Sequence, residues 1–180
     1  MIKFIRYLLI LFSTIVFANE PYTRPSDAVI KQKLTPLQYN VTQKKGTETA
    51  FQNTYWNNEN PGIYVDIVTG EPLFSSLDKY DAKTGWPSFS RAIDPNNIVL
   101  KKQEGWFSTR VEALSNRGQS HLGDVFNDGP PPTHTRFCIN SSALLFIPVN
   151  ELKQKGYGAY LVLFKQPTPV QKVLKSNEQH

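Results

Sequence analysis

From Gly62 to Phe164 the chain rarely runs far without a turn residue, and that rhythm constrains its fold more than any other feature. Short apolar or alternating runs follow one another. They are Ile63 to Val68, Leu73-Phe74, Ile98 to Lys101, Arg110 to Leu114, Thr135 to Ile139, Ala143 to Pro148 and Ala159 to Phe164. Gly, Pro, Asn or Asp bound each run, and runs of this length suit strands. The first two, joined by Thr69-Gly70-Glu71-Pro72, read as a hairpin, and strands and turns are expected to dominate. Helix signals are few. Thr35-Pro36-Leu37-Gln38 pairs an N-cap residue with Pro at the first helical position and Gln three residues on, which predicts a short helix through about Lys44. Asn150 to Lys155 offers one or two further helical turns.

A chain of 180 residues with 39% hydrophobic and 19% charged residues suits one globular domain. Lys3 and Arg6, an apolar run from Tyr7 to Phe17 and Val16-Phe17-Ala18 make residues 1–18 a secretory signal pattern. Residues 19–33 are polar with Pro and read as a linker, residues 34–166 as the folded body and residues 167–180 as a flexible tail. The expected location is periplasmic or secreted. A membrane enters only if the N-terminal segment stays uncleaved as a tether. The net charge of +5 falls to +3 without Lys3 and Arg6. The lysines are scattered and no motif places aromatics and Arg on a base-reading face, so nucleic acid is not expected as a partner.

The chain has one cysteine, Cys138, so no intrachain disulfide can form. In an oxidising compartment a lone thiol is either buried and inert or kept for its reactivity. A Cys within a strand-like run is more often a small core residue than a nucleophile. Its neighbours shift that balance. Alternate strand residues share a face, so Arg136, Cys138 and Asn140 project together while Phe137 and Ile139 pack inward. A guanidinium and an amide beside a thiol can stabilise thiolate, the attacking form. Two further polar segments stand out: Gly85-Trp86-Pro87-Ser88-Phe89, and Ser120-His121-Leu122-Gly123-Asp124-Val125-Phe126-Asn127-Asp128-Gly129-Pro130.

With Leu34-Thr35-Pro36-Leu37-Gln38-Tyr39, Gly46-Thr47-Glu48, Pro72-Leu73-Phe74-Ser75-Ser76 and Phe146-Ile147-Pro148, these segments closely resemble, in sequence and order, the B-type methionine-R-sulfoxide reductase family over residues 34 to 165. The resemblance implies a mainly β single domain, two antiparallel sheets with a few short peripheral helices. It also implies reduction of methionine R-sulfoxide in oxidised proteins or peptides, a repair reaction. Cys138 takes the nucleophile's position and Trp86 that of an aromatic wall for the sulfoxide methyl. His121, Asp128, Arg136 and Asn140 fall on site positions, with Asp124 among them as a catalytic candidate. Phe89 and His134 join Trp86 as substrate-binding candidates. The residue types suit the reaction: a thiolate attacks the sulfoxide sulfur, the departing oxygen needs a proton, and Cys138 is left as a sulfenic acid.

The chain departs from the family pattern in three places. Where the family reads His-Leu-Gly-His, Asp124 replaces the second His. An Asp stays protonated near neutrality only if desolvated or paired with another carboxylate, for which Asp128 is a candidate. His134 could instead supply an imidazole. Where many relatives carry two Cys-x-x-Cys pairs for structural zinc, this chain has Asp66, Thr69, Ser115 and Gly118, so no metal and no other cofactor is expected, and Asp66 reads as a solvated strand residue. No resolving Cys exists, so an outside thioredoxin-like or small-thiol reductant must regenerate Cys138. Two other readings stay open. One is a papain-like hydrolase built on Cys138, His121 and Asn140, although the local signature does not match. The other is a weakly active or inactive relative that binds oxidised methionine or a partner protein.

Overall fold

A computed structural model describes residues 24–104 and 109–165. The expected signal segment and the expected tail lie outside the described residues.

Within the stretch expected as a linker lies a helix, α1 (Asp27–Lys33). Its Ile30 is buried, and this single inward apolar residue ties an otherwise polar segment to the body. Helix α2 (Pro36–Lys44) starts as its sequence predicts. Thr35 Oγ1 accepts from Gln38 N, and Gln38 Oε1 accepts from Thr35 N. It stops at Lys45, whose φ of 58° takes the chain into the left-handed region.

The strands among the described residues are β1 (Gly62–Asp66), β2 (Pro72–Ser75), β3 (Lys79–Tyr80), β4 (Ser88–Phe89), β5 (Ile98–Glu104), β6 (Thr109–Ser115), β7 (His121–Phe126), β8 (Arg136–Ile139) and β9 (Leu144–Pro148). They form a small sheet in the order β2-β1-β9 and a larger one in the order β3-β4-β8-β7-β6-β5. Every pairing is antiparallel. The mainly β, single-domain fold with two antiparallel sheets and short helices is therefore present, and the β1–β2 hairpin with it.

The two sheets enclose the main core. Tyr64, Leu73 and Phe74 from the small sheet meet Phe89, Ala113, Leu122, Phe137 and Ile139 from the large one, with Val41 of α2 closing one side. Phe74 stacks on Phe89 with ring centroids 4.4 Å apart. A second cluster covers the other side of β1, where Ile63, Val65, Ile147 and Leu152 pack under Tyr157, Tyr160, Leu161 and Phe164. This explains why Ala159 to Phe164, expected as a strand, is a 3-10 turn followed by helix α3 (Leu161–Lys165). The four covering residues recur at i, i+3, i+4 and i+7, a helical face.

Asp66 also departs from expectation: it is fully buried, not solvated. Its Oδ2 accepts from Thr69 Oγ1 at 2.8 Å and Ser115 Oγ at 3.2 Å, and Oδ1 from Val68 N at 3.3 Å. A Cβ built on Gly118 would lie 2.2 Å from that Oδ2. The positions matching the family's zinc ligands thus converge, but they supply one carboxylate and two hydroxyls that are bonded to one another. Such a donor set does not fit a tetrahedral thiolate centre. Burial pushes the Asp66 carboxyl up, and the hydroxyl and amide donors oppose it. Asp66→Ala strands those donors and is expected to cost about 2–4 kcal/mol in urea unfolding. A loss near zero would show that the carboxylate is not the tie.

Candidate active site

Strand alternation divides β8 as the sequence predicts. Phe137 and Ile139 enter the core, while Arg136 and Cys138 face the opposite side of the large sheet. Register then selects their neighbours: Cys138 lies opposite Ser88 on β4 and Asp124 on β7, and Arg136 lies opposite Phe126. His121 and Asp124 are three residues apart, so a regular strand would place them on opposite faces. A register shift between β6 and β7 changes this. Ala113 pairs with Gly123 but Leu114 with His121, leaving Leu122 unpaired. This bulge sends Leu122 into the core and returns His121 to the face of Asp124 and Cys138.

On that face lies a cavity of about 220 Å³, lined by Cys138, His121, Asp124, Asn140, Trp86 and Thr47, with Arg110 and Phe126 at its side. The chain around Trp86 is fixed from several directions. Gly85 has φ +83°, a conformation that favours glycine, and its carbonyl accepts from Phe51 N and Asn53 Nδ2. Trp86 Nε1 donates to Glu48 O at 3.1 Å, and Ile139 N donates to Pro87 O. Buried Glu48 holds the loop carrying Thr47 against the end of β8: its carboxylate accepts from Ser141 N, Ser142 N and Ser142 Oγ, and its own N–H donates to Asn140 Oδ1. Asn140 Nδ2 donates to Leu122 O at 3.0 Å. Both ends of the Asn140 amide are therefore engaged within the protein.

The carboxylates do not pair with each other. Asp128, exposed, takes a two-point bond from Arg136, with Nε to Oδ1 at 2.8 Å and Nη2 to Oδ2 at 2.9 Å. That bond holds its carboxyl below the usual range. Asp124 Oδ2 accepts from Arg110 Nη2. Each acid is bound to its own arginine, and the Arg136 guanidinium also lies 4.2 Å from the Phe126 ring centroid.

Of the substrate-binding candidates, Trp86 lies at the cavity and two do not. Phe89 is fully buried in the core. His134 is exposed with φ 52° and lines a neighbouring groove with Leu100, Val111 and Val125, which shares Arg110, Asp124 and Phe126 with the cavity. Those groove residues alternate along β5, β6 and β7 with the ones on the face of Cys138. Sequence reasoning missed Arg110, Thr84 and a buried set around Glu112. Glu112 Oε1 lies 2.8 Å from His121 Nδ1, while Oε2 accepts from Lys45 Nζ at 2.8 Å and from Gln103 Nε2. Burial alone would push the Glu112 carboxyl up, but its bonds to Lys45 and His121 bring it below the usual value. The sequence signal available was strand parity, which aligns Glu112 with Arg110.

Cys138 is half-buried, with Thr84 Oγ1 4.0 Å from its sulfur. Burial pushes the thiol up, and the Asp124 carboxylate adds to this, outweighing Thr84 and Arg136, which pull it down. The setting expected to favour thiolate thus favours thiol in the resting site, because desolvation exceeds the cation's attraction. The alkylation rate with iodoacetamide should accordingly reach half its maximum at a pH above that of a small free thiol. Asp124→Asn should lower that midpoint and Arg136→Met raise it. A wild-type midpoint below glutathione's would contradict this balance.

A single half-buried thiol beside an aromatic side chain, with an imidazole on the same sheet face, defines a β-rich domain equipped for thiol chemistry on a small, partly apolar group. The SelR domain profile matches residues 34–148, and the chain belongs to that family, the B-type methionine-R-sulfoxide reductases that its motifs resemble. It is 59% identical over 144 residues to the peptide methionine sulfoxide reductase MsrA/MsrB of Vibrio cholerae, an overlap covering 80% of this chain and 38% of that protein. The chain thus spans well under half the length of the curated relative it matches.

Proposed function

We propose that this chain reduces methionine R-sulfoxide in oxidised proteins or peptides to methionine, and that an outside thioredoxin-like or small thiol regenerates it. The observation that carries this reading is the Cys138 thiol standing in one cavity with Trp86 and His121. Trp86 offers an apolar surface to the sulfoxide methyl, which leaves the sulfur toward Cys138. Cys138 sulfur attacks the sulfoxide sulfur, the oxygen is protonated and passes to Cys138, and the sulfide departs. Sulfoxide sulfur is reduced, and the cysteine is oxidised to sulfenic acid. Asp124, held by Arg110, has an orienting role at the mouth of the cavity. Asn140, fixed by Glu48 N and Leu122 O, and Arg136, fixed by Asp128, hold the two ends of β8 in place.

The protein is to be incubated with R- and S-sulfoxides of a blocked methionine and dithiothreitol. Consumption of the R form alone supports the reading; consumption of neither, or of S, refutes it. We propose also that the domain works without structural metal, supported by the self-bonded Asp66 set, and that the N-terminal pattern directs export to the periplasm or beyond.

A further inference from the structure

Glu112 has no part in the chemistry above, yet its carboxylate is held on several sides within the site. It is 1% exposed and bonded to Lys45, Gln103 and His121. An ionised carboxylate only accepts, so His121 Nδ1 carries the hydrogen between them. The neutral ring then keeps its lone pair on Nε2, away from Glu112, and His121 lines the cavity with Cys138. Asp124, the cavity's own carboxylate, is bonded to Arg110.

We propose that Glu112 is a positioning residue that sets His121 as the proton carrier of this site, taking the proton from the Cys138 thiol and passing it to the sulfoxide oxygen. The inference rests on the reductase reading. The thiol proton moves to His121 Nε2, the sulfur electron pair forms the bond to the sulfoxide sulfur, and the imidazolium returns the same proton to the oxygen. The hydroxyl then moves to Cys138 sulfur as the bond between the two sulfurs breaks, and the sulfide leaves with that electron pair. No net proton enters or leaves. Glu112 favours the imidazolium that exists between the two transfers. The charged and titratable groups that share this site with the ring are Lys45 at the end of α2, Glu112 and Arg110 on β6, Asp124 on β7 and Cys138 on β8.

Two measurements test this. In ¹⁵N spectra of the wild-type protein, with the His121 signal assigned by His121→Asn, the neutral ring should be the Nδ1–H tautomer. The Nε2–H tautomer would overturn the proposal whatever the variants do. In steady-state assays Glu112→Gln should lower kcat by about 10- to 100-fold with KM changed less than about threefold. The same substitution should also release the Nδ1–H tautomer preference in the ¹⁵N spectra, because the acceptor that fixes it is gone. An unchanged kcat or an unchanged tautomer in Glu112→Gln would overturn it while leaving the reductase reading standing. Absence of Cys138-dependent turnover in the wild type would overturn both.

Discussion

Cys138→Ser is expected to lower dithiothreitol-driven turnover of methionine R-sulfoxide by at least about 10³-fold, the scale on which enzymes respond to loss of a nucleophile. Serine differs by one atom at a half-buried position and leaves the β8 pairings to Ser88 and Asp124 in place, so unfolding is not the cause. The loss is chemical. An alcohol is far less ionised than a thiol in the same site, and its oxygen does not form the oxidised product that carries the sulfoxide oxygen away. Substrate binding, read by protection of Trp fluorescence or by calorimetry, should survive. Residual turnover above about a tenth of wild type would mean that some other group attacks.

Gly123→Ala is expected to be the most damaging small substitution in the site. A Cβ at this position would stand 2.0 Å from the Cys138 carbonyl oxygen and 3.0 Å from Ile139 Cα, both backbone atoms of β8. Neither can swing aside as a side-chain tip would. Strand β7 must move off β8, at a cost of about 3 kcal/mol in unfolding experiments. The same movement parts Asp124 from Cys138 and loosens the bond from Asn140 N to Leu122 O. Displacement of about 1 Å between reacting groups is enough for about a 10²-fold loss of kcat. Near-normal stability and activity would show that the two strands tolerate separation.

Several features legible within one stretch of chain were read correctly, because their physics is local. The capping box of Thr35 and Gln38 closes within three residues, and the inward positions of Phe137 and Ile139 follow from alternation alone. Most of the failures are non-local. A bulge is a property of two strands, so nothing in Ser120 to Asp128 alone says that His121 and Asp124 share a face. Asp66 looks like an exposed strand carboxylate until Thr69, Ser115 and Gly118 are brought around it by the fold. Phe89 was placed at the substrate by its nearness to Trp86 in sequence, but alternation along β4 turns it to the core against Phe74. His134 is four residues from Cys138, yet it ends the turn before β8 with φ 52° and falls in the neighbouring groove, outside the lining of the Cys138 cavity. Asp124 and Asp128 were candidates to share a proton because an Asp needs desolvation or a second carboxylate to stay protonated near neutrality. The pairing with Arg110 needed the β6–β7 register. Around α3 the helical spacing of Tyr157, Tyr160, Leu161 and Phe164 was legible, and the turn-rich rhythm of the preceding chain masked it.

The central claim is that the oxygen leaves methionine sulfoxide through Cys138. The direct measurement is a single turnover: excess protein, methionine R-sulfoxide and no reductant, followed by methionine quantification and mass analysis of the peptide containing Cys138. One methionine should form per protein that reacts, with a gain of one oxygen on Cys138 that dimedone traps as a sulfenic acid. Methionine formed without any change at Cys138, or formed equally by Cys138→Ser, would contradict the account.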